Sequence, residues 1–405
     1  MLSLRDHFSR LPLASLFLVV AGCGGSDDGN GPVDPPPPPP VDIVLRVAAG
    51  GNNVPDRYTS DLWVHGDYAY TGTWGGGKRG GNSGNVVKIW ALDAGGAPIL
   101  ADSLVLPGSA VATVSDVEVS DDGSVLMFSR EGGVDAGLYL YGLTDPVHPA
   151  PLDFAPVANG LHTATFGAIG GRRYAFAARN PPGPALEIYD VTDPADMALL
   201  TTLPVPANYG IHDTFVRDGL AFVFAWNTGV IIYDVGNGIR GGTPAAPVEV
   251  SRVVTAAGDV AGGPAAHNGW WFHNPVTGER RYLFVGQEGP GVVGAASSGD
   301  IHVLDVSDLA APTEVAVFHL DGAGTHNFWM DEARQILYAA YYNAGVVALD
   351  VSGELSGDLA ARQLSSIRPG GAGLTYTWGV QLARGSVYAS DMLTGFWQLA
   401  ADEVE

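Results

Sequence analysis

The chain has 405 residues, 46% of them hydrophobic and only 16% charged, with 56 Gly and 28 Pro. Its formal net charge of −23 makes nucleic acid and anionic membrane surfaces poor partners and suits the solvated surface of an extracytoplasmic protein. A single cysteine excludes a disulfide framework, and the glycine and proline content points to many short strands joined by turns rather than to helices.

At the N-terminus, Arg5 and Arg10 flank and precede an apolar run, Leu11 to Val20, that is too short to span a bilayer. It ends in Val20-Ala21-Gly22-Cys23, which resembles the lipobox of bacterial lipoprotein signal peptides. The resemblance implies that residues 1–22 are removed and that Cys23 is acylated as the new N-terminus. Gly24 stands where an Asp would favour inner-membrane retention, so the expected address is the outer membrane, with the lipid as the only membrane contact. Residues 23–40 then read as the lipidated Cys and a tether, a flexible Gly/Asp half followed by a stiff polyproline run.

Residues 41–405 divide into seven units. Each opens on a polar or aromatic pair: Ser60-Asp61, Ser115-Asp116, His162-Thr163, His212-Asp213, His267-Asn268, His326-Asn327 and Trp378-Gly379. Successive pairs lie 47 to 59 residues apart, the length of one four-stranded blade. A second apolar strand follows each pair, for example LAFVFAW from Leu220. The third strand is the most regular element: LEIYDVTDP from Leu186 recurs as LYLYGLTDP from Leu138, VIIYDVGNG from Val230, IHVLDVSDL from Ile301 and VVALDVSGE from Val346. Four apolar positions closed by Asp, Gly, Ser or Pro mark a short buried strand ending in a tight turn. The last unit runs out of chain after its third strand, while VDIVLRVA from Val41 has no unit of its own. Pairing the two closes the ring and removes both free edges. The expected fold is all-β, a closed seven-bladed β-propeller of four-stranded antiparallel blades.

The core pattern, two aliphatic residues followed by Asp-Val-Ser/Thr-Asp-Pro, resembles the LVIVD-repeat family of bacterial surface or periplasmic proteins. It is clearest at Leu186 to Pro194 and Ile301 to Asp308, while Ala91, Gly142 and Ala400 replace the motif Asp in three units. The resemblance implies a propeller and an envelope location, and no particular reaction.

In such a ring the loops entering the first strands and those leaving the second strands share one face. The opening pairs are expected to surround the channel mouth, with Trp74, Arg130, Arg179, Trp226, Glu288, Tyr342 and Asp391 around them. The expected ligand face comprises Asp61, Asp116, Arg179, Asp213, Trp226, Asn268, Glu288, Asn327, Tyr342, Trp378 and Asp391.

His162, His212, His267 and His326 hold the same register position in four successive units, so the ring brings them together. Four imidazoles are a credible ligand set for one Cu, Fe or Zn ion. The arrangement is similar to that of carotenoid-cleaving oxygenases, propellers with a four-histidine iron, without their sequence motifs. Equally, duplicated histidines at strand starts can simply tie down loop backbone.

Two functions follow from these alternatives. One is an anchored module that binds a protein, glycan or small molecule. The other is an oxidative or hydrolytic metalloenzyme, with Glu288 or Asp213 as acid–base or supporting groups. The remaining histidines share no register position, and no G-x-S-x-G, H-E-x-x-H or C-x-x-C occurs. The Gly75–Asn85 run lacks the ending of a phosphate loop and reads as a long connection, with Lys78 and Arg79 at its tip. Insertions at Gly236–Pro247 and Gly289–Gly299 read as loops or flaps, the second placed to cover the channel mouth.

Overall fold

A computed structural model describes residues 42–53, 57–75, 84–107, 112–261 and 263–404. The lipobox, Cys23, the tether and the Lys78–Arg79 loop tip lie outside these residues.

Seven antiparallel sheets form the blades. Blades 1 to 6 occupy residues 58–105, 113–156, 161–204, 213–253, 266–318 and 328–367. Blade 7 takes its inner three strands from Thr377–Ala383, Ser386–Asp391 and Gly395–Glu403, and its outer strand from Ile43–Gly50. That pairing is antiparallel, from Ile43 opposite Glu403 to Gly50 opposite Trp397, so the ring closes through the N-terminal strand as the orphan strand predicted.

Why the third strand repeats so faithfully is visible in its turn. The Asp that ends it accepts a hydrogen bond from the backbone N–H two residues on: Asp190 from Thr192 (3.0 Å), Asp234 from Gly236 (3.0 Å), Asp305 from Ser307 (2.9 Å) and Asp350 from Ser352 (2.8 Å). This local bond caps the strand and starts the turn towards the outer strand. Two of the units that lack this Asp use a carboxylate slightly further along. Asp93 accepts from Gly95 and Ala97, and Asp145 from Val147 and His148.

The apolar faces of each blade pack against its neighbours rather than against one central core. Tyr174, Phe176, Leu186 and Ile188 of blade 3 meet Ala221, Val223, Ile231 and Tyr233 of blade 4, and corresponding clusters fill the other six seams. A stack of seven sheets closed on itself leaves an axial channel lined by the inner strands.

The Gly289–Gly299 insertion is a short hairpin with a register shift, Gly289–Val292 paired with Ala296–Ser298. Tyr376 donates to the carbonyl of Pro290, and Ser297 accepts from the Gly324 N–H at 2.7 Å. Its tip residue Val293 packs with Tyr342, Tyr376 and Trp378 on the channel-mouth face. The Gly236–Pro247 insertion is an ordered loop around Asp234.

Candidate functional site

Along each inner strand alternate residues face the axis, giving two rungs. The upper is Asp61, Asp116, Thr163, Asp213, Asn268 and Asn327, with Gly379 as the seventh member; the lower is Trp63, Glu118, Thr165, Phe215, Trp270, Trp329 and Gln381. Together they line a cavity of about 360 Å³, within the range of small-molecule sites.

Above the upper rung the alternation breaks at a recurring place. The ladder between first and second strands shifts register at Thr59/Leu62, Val114/Asp116, Leu161/Ala164, Ala266/Asn268 and Thr377/Gly379. A bulge inserts an unpaired residue and re-aims its side chain, which accounts for the opening pair in five blades; in blades 4 and 6 the ladder is regular, and His212 and His326 sit in the segment entering the strand. The first member of the pair is thereby brought to the channel mouth with the second.

What that first member does differs by blade. Ser60 Oγ donates to the carbonyl of Val114 at 2.5 Å, and Ser115 Oγ donates to the carbonyl of His162. Both hydroxyls thus tie one blade to the next. The histidines of blades 4 to 6 make no such tie through Nδ1: His212, His267 and His326 each bury that nitrogen without a hydrogen-bond partner.

The four rings form an arc. Centroids are 4.5 Å apart for His162–His212, 5.4 Å for His212–His267 and 4.1 Å for His267–His326. Trp226 packs on His212, the second ring of the arc, at 4.1 Å, and Trp378 closes the far end against His326 at 4.3 Å. Glu288 reaches in from the end of the second strand of blade 5, with Oε2 3.5 Å from His212 Nδ1 and 3.7 Å from His267 Nε2. Its other oxygen accepts a hydrogen bond from the Tyr342 hydroxyl. Trp226 and Tyr342 adopt left-handed backbone, with φ of 50° and 35°, a costly conformation for bulky side chains. Each is held there by a bridge to the next blade, Trp226 to Ala266 and Tyr342 to Thr377.

Burial, helped by the neighbouring imidazoles, pushes His212, His267 and His326 well below the usual histidine range. His162 moves the other way, to about 9: burial opposes its charge, but Glu131, at 3.1 Å from its Nδ1, overcomes that. Burial raises Glu288 against the Tyr342 hydrogen bond. In the channel, burial holds Asp61, Asp116, Glu118 and Asp213 above the usual carboxylate range; Asp116 adds to it for the other three.

Of the expected ligand face, Asp61, Asp116, Asp213, Asn268, Asn327 and Trp378 line the channel, while Trp226, Glu288 and Tyr342 surround the histidines. Two residues stand apart. Arg179 turns outward, donating from Nε to the Gly183 carbonyl at 2.8 Å and from Nη1 to Glu187 at 3.1 Å, because a carboxylate on its own blade is nearer than the axis. Asp391 is consumed by backbone, accepting from the N–H groups of Leu393 and Thr394 in its own turn and of Tyr376 just ahead of the first strand. Trp74 stacks on Tyr58 at 5.5 Å.

Glu131 was not among the sequence candidates. It is the blade 2 equivalent of Trp226 and Tyr342, since it bridges to Gly160 as they bridge to Ala266 and Thr377. The signal was there one position later than Arg130, immediately before Gly132-Gly133.

The LVIVD repeat family model matches residues 56–77 and 295–319. Two stretches of this chain therefore carry LVIVD repeats. The second spans Ile301 to Asp308, one of the two places where the motif is clearest; the other repeats are carried by strand order and turn chemistry. No curated protein matches the chain. Among solved structures, the crystal structure of Saccharomyces cerevisiae Sqt1 aligns over 87% of this chain and 83% of that one, with a TM-score of 0.55 and 8% identity. At that identity the likeness concerns fold alone.

Proposed function

We propose that this LVIVD-repeat propeller is a lipid-anchored envelope protein that binds a small polar ligand in its central channel. The observation that carries the reading is a cavity of about 360 Å³ whose upper rung carries a polar side chain in six of its seven members and holds unmet hydrogen-bonding capacity. Asn268 is buried with Oδ1 unpartnered, and Thr163 Oγ1 is likewise unpartnered. Buried polar atoms without partners are costly, and a ligand donating hydrogen bonds supplies what they lack. The carboxyls held above their usual range add donors to the same rung. The aromatic faces of Trp63, Phe215, Trp270 and Trp329 beneath it offer apolar contact.

Binding is the reading that these unmet hydrogen-bonding groups support. Envelope anchoring rests on Val20-Ala21-Gly22-Cys23 and the tether behind it.

Four tryptophans line the channel (Trp63, Trp270, Trp329 and Trp378), so intrinsic fluorescence reports occupancy. Titration with a panel of monosaccharides, short glycans, polyols and amines should yield at least one saturable response. Asn268→Leu should weaken that response about tenfold or more, in line with an unpaired polar contact. A saturable ligand indifferent to Asn268→Leu and Trp270→Ala would place binding elsewhere and end the channel reading. Anchoring is read separately: mass spectrometry of the membrane fraction should find an acylated Cys23, and Cys23→Ser should release the protein into the soluble fraction. An unmodified, uncleaved N-terminus would contradict it.

A further inference from the structure

We propose that the histidine arc at the channel mouth holds one divalent transition-metal ion, with His267 as the ligand common to two donor sets, His162–His212–His267 and His267–Glu288–His326. The inference rests on the reading of that face as the ligand site and deepens it, by placing an ion over the polar rung.

The spacing of the donors carries the argument. Two atoms that each lie about 2.0–2.2 Å from one ion stand about 3.3–3.7 Å apart at tetrahedral to trigonal angles. Glu288 Oε2 lies 3.5 Å from His212 Nδ1 and 3.7 Å from His267 Nε2. These gaps are long for hydrogen bonds and fit two pairs of donors sharing one centre. Around that core, ligand atoms of His162, His212 and His267 all lie within 4.8 Å of one another, as do those of His267, Glu288 and His326. His267 belongs to both sets, so an ion held by either triad has His267 as a ligand and further imidazole of the arc beside it.

The second argument is what the donors lack. His212 buries an Nδ1 that meets no hydrogen-bond partner, and this is the nitrogen that faces Glu288 at 3.5 Å; His326, only 3% exposed, buries an unpartnered Nδ1 as well. The serines at the same register position in blades 1 and 2 show that a hydroxyl there finds a carbonyl of the next blade. Blade closure leaves the Nδ1 atoms of these imidazoles without the tie that the serine hydroxyls make.

The third is the support behind the donors. His162 Nδ1 lies 3.1 Å from Glu131, whose other oxygen accepts from the Asn180 amide at 3.0 Å. This is the carboxylate–imidazole arrangement that orients a metal ligand and leaves the opposite nitrogen, Nε2, to bind. Glu288 is steadied by Tyr342 in the same way. An imidazole-rich set with one carboxylate and no thiolate suits Zn, Cu, Fe or Ni rather than Mg or Ca.

A third cluster, Asp259, Asp300 and His319, provides the control. There both ring nitrogens already have carboxylate partners, Asp300 at 2.7 Å and Asp321 at 2.9 Å, so the histidine is satisfied without an ion.

The test uses purified full-length protein, stripped with a chelator and titrated with Zn²⁺ or Cu²⁺ alone, with bound metal counted after desalting. One equivalent is expected, and the Cu²⁺ form should show nitrogen hyperfine coupling from several imidazoles. His267→Ala should lower affinity by about 100-fold or more, and Glu131→Gln by about 10–100-fold as a supporting contact. His319→Ala should change nothing. His267→Gln, similar in bulk, and a melting curve for each variant separate lost ligation from lost folding. Folded protein that takes up no ion, two equivalents per chain, or uptake abolished by His319→Ala and retained in His267→Ala would each overturn the proposal. Protein that takes no ion yet still binds a channel ligand through Asn268 overturns this inference alone. An ion retained with no channel ligand found overturns the reading beneath it.

Discussion

Asp234 gathers four backbone donors onto one carboxylate, the N–H groups of Gly236 (3.0 Å), Gly238 (3.1 Å), Arg240 (2.7 Å) and Gly242 (3.1 Å). It thereby organises the whole insertion between the third and outer strands of blade 4. Burial works against its charge, but the four N–H groups outweigh that and bring it down to about 2 from an ordinary 3.8. A carboxylate lowered on folding stabilises the native state above its unfolded value, and that contribution is lost as pH falls from about 4 through about 2. Asp234→Ala should cost about 1–3 kcal/mol near neutral pH, the effect of leaving buried donors unpaired. The deficit relative to the parent should shrink below pH 4. Thermal melts of parent and variant between pH 2 and pH 7 check this, and a deficit that stays constant with pH would show that the loop is held by something else. In the sequence, Asp234 was visible only as the motif Asp, because its further partners come from a glycine-rich segment with no apolar pattern to fix its path.

At the scale of strands, most of the architecture was legible because two local rules agree. Apolar alternation marked the strands, and the Asp-x-x-Asp-Pro turn chemistry marked where third strands end, so seven units could be laid in register from Leu186 outwards. The bulge at the start of the inner strands was not legible, since one extra unpaired residue looks like a polar pair and nothing more. In blade 5 that bulge shapes the site: without it, period-two alternation would send His267 and Asn268 to opposite faces. The same one-residue uncertainty explains why Arg130 rather than Glu131 stood among the candidates, and why Arg179 was included although Glu187 across its own blade claims it. Asp391 was misplaced for a different reason. Its position at the strand end is equivalent to that of the site residues, but the turn after it supplies two N–H groups and the segment entering the first strand a third, from Tyr376.

Only at the scale of the whole ring do residues separated by more than 150 positions, His162 and His326, come to share one site, so the site depends on closure. Ile43 and Leu45 of the N-terminal strand are buried in the blade 6–blade 7 seam with Val346, Val380 and Leu399. Leu45 N–H donates to Ser365 Oγ of blade 6 at 3.0 Å. The strand is followed by Gly51, where a Cβ would lie 2.1 Å from the Trp397 ring, and by Asn53, whose amide exchanges two 3.0 Å bonds with the Phe396 backbone. Burial of the two aliphatic side chains is worth about 1.5–3 kcal/mol each, and removal of the strand also leaves Gly395–Glu403 as a free edge. A chain shortened to begin after Asn53 should therefore melt lower and self-associate through that edge. A synthetic peptide of residues 42–53 added in trans should return it to a monomer. Light scattering after size exclusion reads both states. A shortened chain that stays monomeric with an unchanged melting temperature would mean that the seams alone hold the ring, and that the histidine arc does not depend on the strand that closes it.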